Sequence, residues 1–210
     1  MYLLLTDRTS CPRCGPAFGL VLLADRLTDR RVQEGVLGCS NCRERYPIHE
    51  GVADLRPPPR TSLAVAEVDP VLRPDDSLAL AAAAASGVGP AGGKMLLVGA
   101  AASLAGATAA VAPEGVEIVT AQRGWPALPV GPGISPTVVG LTLPFFDATF
   151  AGVVLCGSEA TPEFLREAAR VVLRGHRVVL LDPPTDAQTR LGAAGLLRFV
   201  HGEGVAAAGR

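Results

Sequence analysis

Four of the chain's five cysteines stand in two Cys-x-x-Cys pairs, Cys11-Pro-Arg-Cys14 and Cys39-Ser-Asn-Cys42. Two intervening residues let both sulfurs of a pair reach one ion at about 2.3 Å, and two pairs close a tetrahedral thiolate shell. Such a shell leaves no open position for water. The chemistry it predicts is therefore structural: Zn2+ held by Cys11, Cys14, Cys39 and Cys42, contributing folding energy to a segment too small to fold well alone. Disulfides or four free thiols are the alternative, which the twin spacing disfavours; it suits metal binding in a reducing compartment. His49 lies just past the second pair and, with four thiolates already present, reads as a surface residue. Cys156 ends the apolar run Val153-Val154-Leu155-Cys156 and reads as a buried core thiol.

A second stretch with chemical potential is LLVGAAASLAG, residues 96–106. It reads as an apolar strand, a tight turn and a helix start, the place where many α/β folds hold a nucleotide. Near the rim that such a turn would form, the carboxylates are Glu114, Glu117, Asp147 and Glu159. Two other motifs are set aside. Gly92-Gly93-Lys94 precedes its strand instead of following it, so it does not make a phosphate loop. Asp182-Pro183-Pro184 lacks an aromatic partner and follows a late strand.

These residues need elements to position them. The 210-residue chain, 49% hydrophobic with a formal net charge of −1, is long enough for one full domain plus a small one. Residues 1–56 carry the cysteine pairs, 57–74 form a proline-rich linker, and 75–210 alternate apolar strands with helical segments. The strands expected are 95–100, 116–121, 137–141, 151–156, 177–181, 196–200 and 204–208. Helices are expected at 75–86, at 103–112 with Ser103 as N-cap, at 161–173 with Thr161 as cap and Pro162 in the first turn, and near 186–194. Residues 123–136 hold too many prolines and glycines for a helix, so a loop replaces one crossover there. The single tryptophan, Trp125, falls in that loop. The fold class is α/β, with a small β-rich unit in front.

After Cys42 comes Tyr46-Pro47-Ile48-His49-Glu50-Gly51-Val52-Ala53-Asp54-Leu55. With the two cysteine pairs, this resembles the small zinc-binding activator subunit of tRNA and protein methyltransferases. The resemblance implies a zinc ribbon whose apolar edge packs on a methyltransferase domain. The remainder resembles the class I S-adenosylmethionine-dependent methyltransferases. That likeness is carried by the strand–turn–helix at 96–106, by Leu143-Pro144-Phe145-Phe146-Asp147 running on to Val153-Val154, and by the Phe164–Leu180 stretch through Arg170-Val171-Val172-Leu173-Arg174-Gly175. It implies a Rossmann-like sheet.

The positions that hold the cofactor in that family depart from its pattern. The acidic position of the first motif falls on Leu97, and its three glycine positions fall on Gly99, Ala101 and Ser103. Glycine permits positive φ and close backbone approach to a ligand. A Cβ at Ala101 or Ser103 is expected to project toward the ligand, and a left-handed conformation there costs about 1 kcal/mol each. The ribose-binding acid at the end of the second strand falls near Gln122, which lacks charge assistance. The adenine-side residue after the third strand falls on Thr142. Together these read as loss of the cofactor site.

The expectation is a non-catalytic, methyltransferase-like protein with a structural zinc ribbon and no catalytic residue. It would bind a protein partner, either a methyltransferase or a second copy of itself, as scaffold or activator. The alternative is an active methyltransferase with an atypical cofactor site and its activator fused in cis, where effective concentration is high. A nucleic-acid role is weakly supported, because the arginines of the first 60 residues are largely offset by acidic ones. The four-residue apolar run at the start is too short for a signal peptide and 79–85 too short for a membrane span, so a cytoplasmic location with no membrane contact is expected.

Overall fold

A computed structural model describes residues 1–60, 76–124 and 131–210. The cysteine-bearing part begins with a short helix, α1 (Leu3–Thr6), and strands β1 (Ser10–Cys11), β2 (Gly15–Thr28) and β3 (Arg31–Cys39). Asp29 and Arg30 both take positive φ, 48° and 62°, so the β2–β3 hairpin closes through the two-residue turn that matches strand twist. Strands β4 (Arg45–His49) and β5 (Val52–Asp54) continue the antiparallel meander.

The second part starts with helix α2 (Asp76–Ser86) and strand β6 (Gly93–Val98). A 3-10 turn over Gly99–Leu104 leads into helix α3 (Ala105–Val111). Strands β7 (Val116–Gln122), β8 (Ile134–Val138) and β9 (Gly152–Cys156) follow. Helix α4 (Pro162–Val171), strand β10 (Arg177–Leu181), helix α5 (Ala187–Ala193) and the hairpin β11 (Leu197–Gly202) and β12 (Val205–Gly209) complete the chain. Strands β8-β7-β6-β9-β10 are parallel in that order, the 3-2-1-4-5 arrangement of a doubly wound sheet, and β12 and β11 extend it antiparallel. Parallel strands are covered on both faces, which is why β6 and β9 are apolar without alternation.

The two parts share one sheet. β5 pairs parallel with β8 at Ala53↔Thr137 and Asp54↔Val138, giving twelve strands among the described residues. They also share a core. One apolar cluster runs from Leu37, Tyr46, Ile48 and Leu55 to Val119, Val139, Phe145 and Phe150. A second, under α2 and α3, gathers Ala82, Met95, Leu97, Leu104 and Ile118. A polar clasp reinforces the joint. Arg31 of β3 reaches Glu117 of β7 at 3.1 Å and the Ile134 carbonyl at 2.8 Å. The Ser135 hydroxyl donates to the same carboxylate and accepts the Tyr2 N–H at 2.7 Å.

Two details differ from the sequence reading. Ser103 does not cap α3: it lies inside the 3-10 turn, donating to the Ala100 carbonyl at 2.7 Å, and Leu104 occupies the cap position without a side-chain bond. The third parallel strand spans 134–138 instead of 137–141. It includes Pro136, because β5 joins only at Thr137 and leaves the first half of β8 with an edge on which a missing N–H is tolerated. Thr161 does cap α4, accepting the Phe164 N–H at 3.3 Å. Trp125, most of the proline-rich linker and the middle of the 123–136 loop lie outside the described residues.

Candidate metal centre and candidate ligand cleft

The four cysteines meet at one point. Cys11 ends β1 and Cys39 ends β3; Cys14 and Cys42 lie in the turns that follow. Positive φ at Gly15 and Arg43 bends each turn back on itself. All four sulfurs lie within 4.8 Å of one another, with Cys11–Cys42 at 3.7 Å and Cys14–Cys39 at 3.9 Å. Zinc–sulfur bonds of about 2.3 Å at tetrahedral angles place sulfurs about 3.8 Å apart. The donor set and its spacing therefore fit a four-coordinate zinc ion.

The surroundings of the cluster are those of a held thiolate set. The fully buried Tyr46 hydroxyl lies 3.4 Å from Cys11 Sγ. The Cys14 N–H donates to Cys11 Sγ at 3.4 Å, and Asn41 Nδ2 donates to Cys14 Sγ at 3.3 Å. Burial pushes the Cys11 thiol up, but Tyr46 and the backbone donors outweigh it and bring it to about 7. For Cys42 the backbone donor from Glu44 lowers the thiol, while burial and the crowd of neighbouring sulfurs lift it to about 12. Thiols packed this closely without a cation resist ionising together, and a divalent ion removes that conflict. The Arg60 guanidinium stacks over the Tyr46 ring at 4.8 Å. His49 stays apart, exposed, 3.0 Å from Glu34.

A cleft opens at the carboxyl ends of the parallel strands, where the strand order reverses between β6 and β9. That is the position at which doubly wound sheets bind ligands. It measures about 410 Å³ and is lined by Val98 and Gly99 after β6, Ala121 and Arg123 at β7, Val139 at β8, and Ser158, Glu159, Thr161 and Phe164 between β9 and α4. Val98, Val139 and Phe164 make its walls apolar, and Arg123 lies over the Phe164 ring at 5.4 Å.

Of the cofactor positions read from sequence, only Gly99 lines this cleft, joined by Glu159 from the rim carboxylates and by the helix cap Thr161. Leu97 is fully buried on the opposite face of the sheet. Ala101 is also fully buried, packed with Leu104 and Ala105, and neither it nor Ser103 takes positive φ. Their side chains do not obstruct the ligand space, because a 3-10 turn replaces the glycine loop and rotates them into the core. Gln122 ends β7 outside the lining, and Thr142 is exposed on the loop beyond β8.

The space beside Gly99 is taken by a different group. Glu159, carried by the 3-10 turn Gly157–Glu159, brings its carboxylate to the Ala100 N–H at 3.3 and 3.1 Å. Gly99 sits at φ +58°, and a Cβ built there would collide with that carboxylate. The other rim carboxylates are elsewhere. Glu117 serves the Arg31 clasp, Asp147 bonds Arg170 at 3.0 Å, and Glu114 is exposed. Cys156 is buried at the end of β9, and burial together with Glu159 and Asp182 lifts its thiol to about 12.

Among the described residues, the lining carries no carboxylate at the end of β7. Arg123, just beyond that end, offers only hydrogen-bond donors. The turn that would meet the ligand's other end already holds a carboxylate. Sequence reasoning missed Arg123, Ser158 and Phe164, although Arg123 is the residue directly after Gln122.

No family model matches the chain, and no curated protein matches it. Among solved structures, a SAM dependent methyltransferase from Aquifex aeolicus is 14% identical, aligning with 55% of this chain and 79% of its own, at a TM-score of 0.39. A predicted O-methyltransferase from Agrobacterium tumefaciens is 20% identical over 64% of this chain and 80% of its own, with a TM-score of 0.45. A probable spermidine synthase from Corynebacterium glutamicum is 13% identical over 93% of this chain and 78% of its own, with a TM-score of 0.47. On its own strand order, the chain has a mixed α/β, Rossmann-like doubly wound fold with a cysteine cluster near the N-terminus that could hold a metal ion. No helix among the described residues is long and apolar enough to cross a membrane.

Proposed function

We propose that this chain is a non-catalytic methyltransferase-like protein whose structural zinc ribbon stiffens a body acting as scaffold or activator for a protein partner. The observation that carries the reading is the lining of the strand-end cleft. Its one carboxylate among the described residues, Glu159, is engaged with the Ala100 N–H, and the residue lining it at the end of β7 is the cation Arg123. A ribose seated there would meet a cation in place of the charge-assisted carboxylate acceptor that would favour it. The ribbon's last strand is already paired with the body inside the chain, which supports contact with a partner through another face.

The test is ultraviolet cross-linking of the zinc-loaded protein with radiolabelled S-adenosylmethionine. The expected result is no labelling beyond that of an unrelated control protein. Labelling that S-adenosylhomocysteine competes away would overturn the reading. It would favour the second one, an active methyltransferase with an atypical site, for which the persistence of an open cleft of about 410 Å³ speaks.

A further inference from the structure

We propose that Glu159 is a built-in occupant of the cleft. The chain's own carboxylate fills the space that the Gly99 turn leaves open, and removing it uncovers a pocket for a small carboxylate. This deepens the reading above and rests on its premise that no adenosyl cofactor holds the cleft.

Three observations converge on it. The first is the cradle itself. A glycine at φ +58° after the first strand of a doubly wound sheet permits something to approach the backbone closely, and here the approaching group is Glu159. The second is the bonding. Both carboxylate oxygens lie within reach of the Ala100 N–H, at 3.3 and 3.1 Å, as a ligand's acidic group would.

The third is how firmly the carboxylate is delivered. The Ala160 N–H bonds the Gly157 carbonyl at 3.2 Å, the Thr161 N–H bonds the Glu159 carbonyl at 2.7 Å, and Thr161 then caps α4. At Gly157 a Cβ would collide with the Asp182 carbonyl and come within 2.8 Å of Pro184 Cδ, so the turn is seated against the chain beyond β10. Glu159 is therefore fixed from both sides and aimed at Gly99. With Arg123 on the same cleft and the Ala100 N–H left without its carboxylate, the space it would vacate favours a small anion.

The experiment uses the full zinc-loaded chain and its Glu159→Ala and Glu159→Ser variants. Amide spectra are recorded while sodium acetate replaces sodium chloride at constant ionic strength. In both variants acetate is expected to move the Ala100 amide resonance along a saturating curve with a midpoint on the order of 10–100 mM, while the unaltered chain shows no saturating response. No saturating shift in the folded variants, or an equal shift in the unaltered chain, overturns the proposal. Failure of both variants to fold also overturns it, because an occupant of an open cleft is dispensable to the core. Failure of the non-catalytic reading would show separately, as labelling of the unaltered chain by S-adenosylmethionine.

Discussion

At the scale of residues, the metal centre was almost fully legible in the sequence, and the cleft was not. Two-residue spacing between thiols is a local constraint, so Cys11, Cys14, Cys39 and Cys42 announce themselves. Tyr46, which touches the cluster through its hydroxyl, is 35 residues from its partner Cys11 and leaves no local signal. It orients Cys11 and offsets its charge, so Tyr46→Phe is expected to weaken zinc binding by about 10-fold, the usual scale for loss of an outer hydrogen bond to a metal ligand. Competition with a chromophoric chelator measures it, and unchanged affinity would remove Tyr46 from the site. In the cleft, residues 97–103 pointed to a changed turn but to the wrong cause. Whether Ala101 and Ser103 face ligand or core depends on the turn being a 3-10 helix, which their side-chain types do not encode. Glu159 was visible as a rim carboxylate, but its approach to Gly99 is a long-range contact.

At the scale of elements, helix and strand positions followed from apolar runs and from caps that act locally, such as Thr161 with Pro162. The errors fell where tertiary pairing overrides local preference. In the sequence reading Pro136 ends a loop, yet β8 contains it because the strand has only β7 beside that residue among the described residues. Packing of the first part's apolar edge on the second was expected, but the polar clasp was illegible, since Arg31 and Glu117 are 86 residues apart. Both side chains are largely buried, so removing one leaves the other charge poorly compensated. Arg31→Ala or Glu117→Gln is expected to lower stability by about 3 kcal/mol, with the double variant costing clearly less than the sum. Urea unfolding of the four proteins of this cycle checks it; additive losses would mean that the clasp contributes no pairwise interaction.

At the scale of the whole molecule, a single sheet and a shared core tie the metal centre to the cleft-bearing body. Zinc held by the four cysteines would then be folding energy for more than the cysteine-bearing part. Chelation is expected to lower the thermal midpoint of the whole chain, with zinc release and loss of far-ultraviolet dichroism coinciding in one transition. An unchanged melt of the methyltransferase-like body after zinc removal would show that the joint does not transmit stability.

The central claim, proposed above, is that this Rossmann-like sheet keeps its strand-end cleft without holding an adenosyl cofactor. Calorimetric titration of S-adenosylmethionine into the zinc-loaded chain tests it most directly. The account predicts no saturable heat at millimolar ligand, and a micromolar dissociation constant with one site per chain would contradict it.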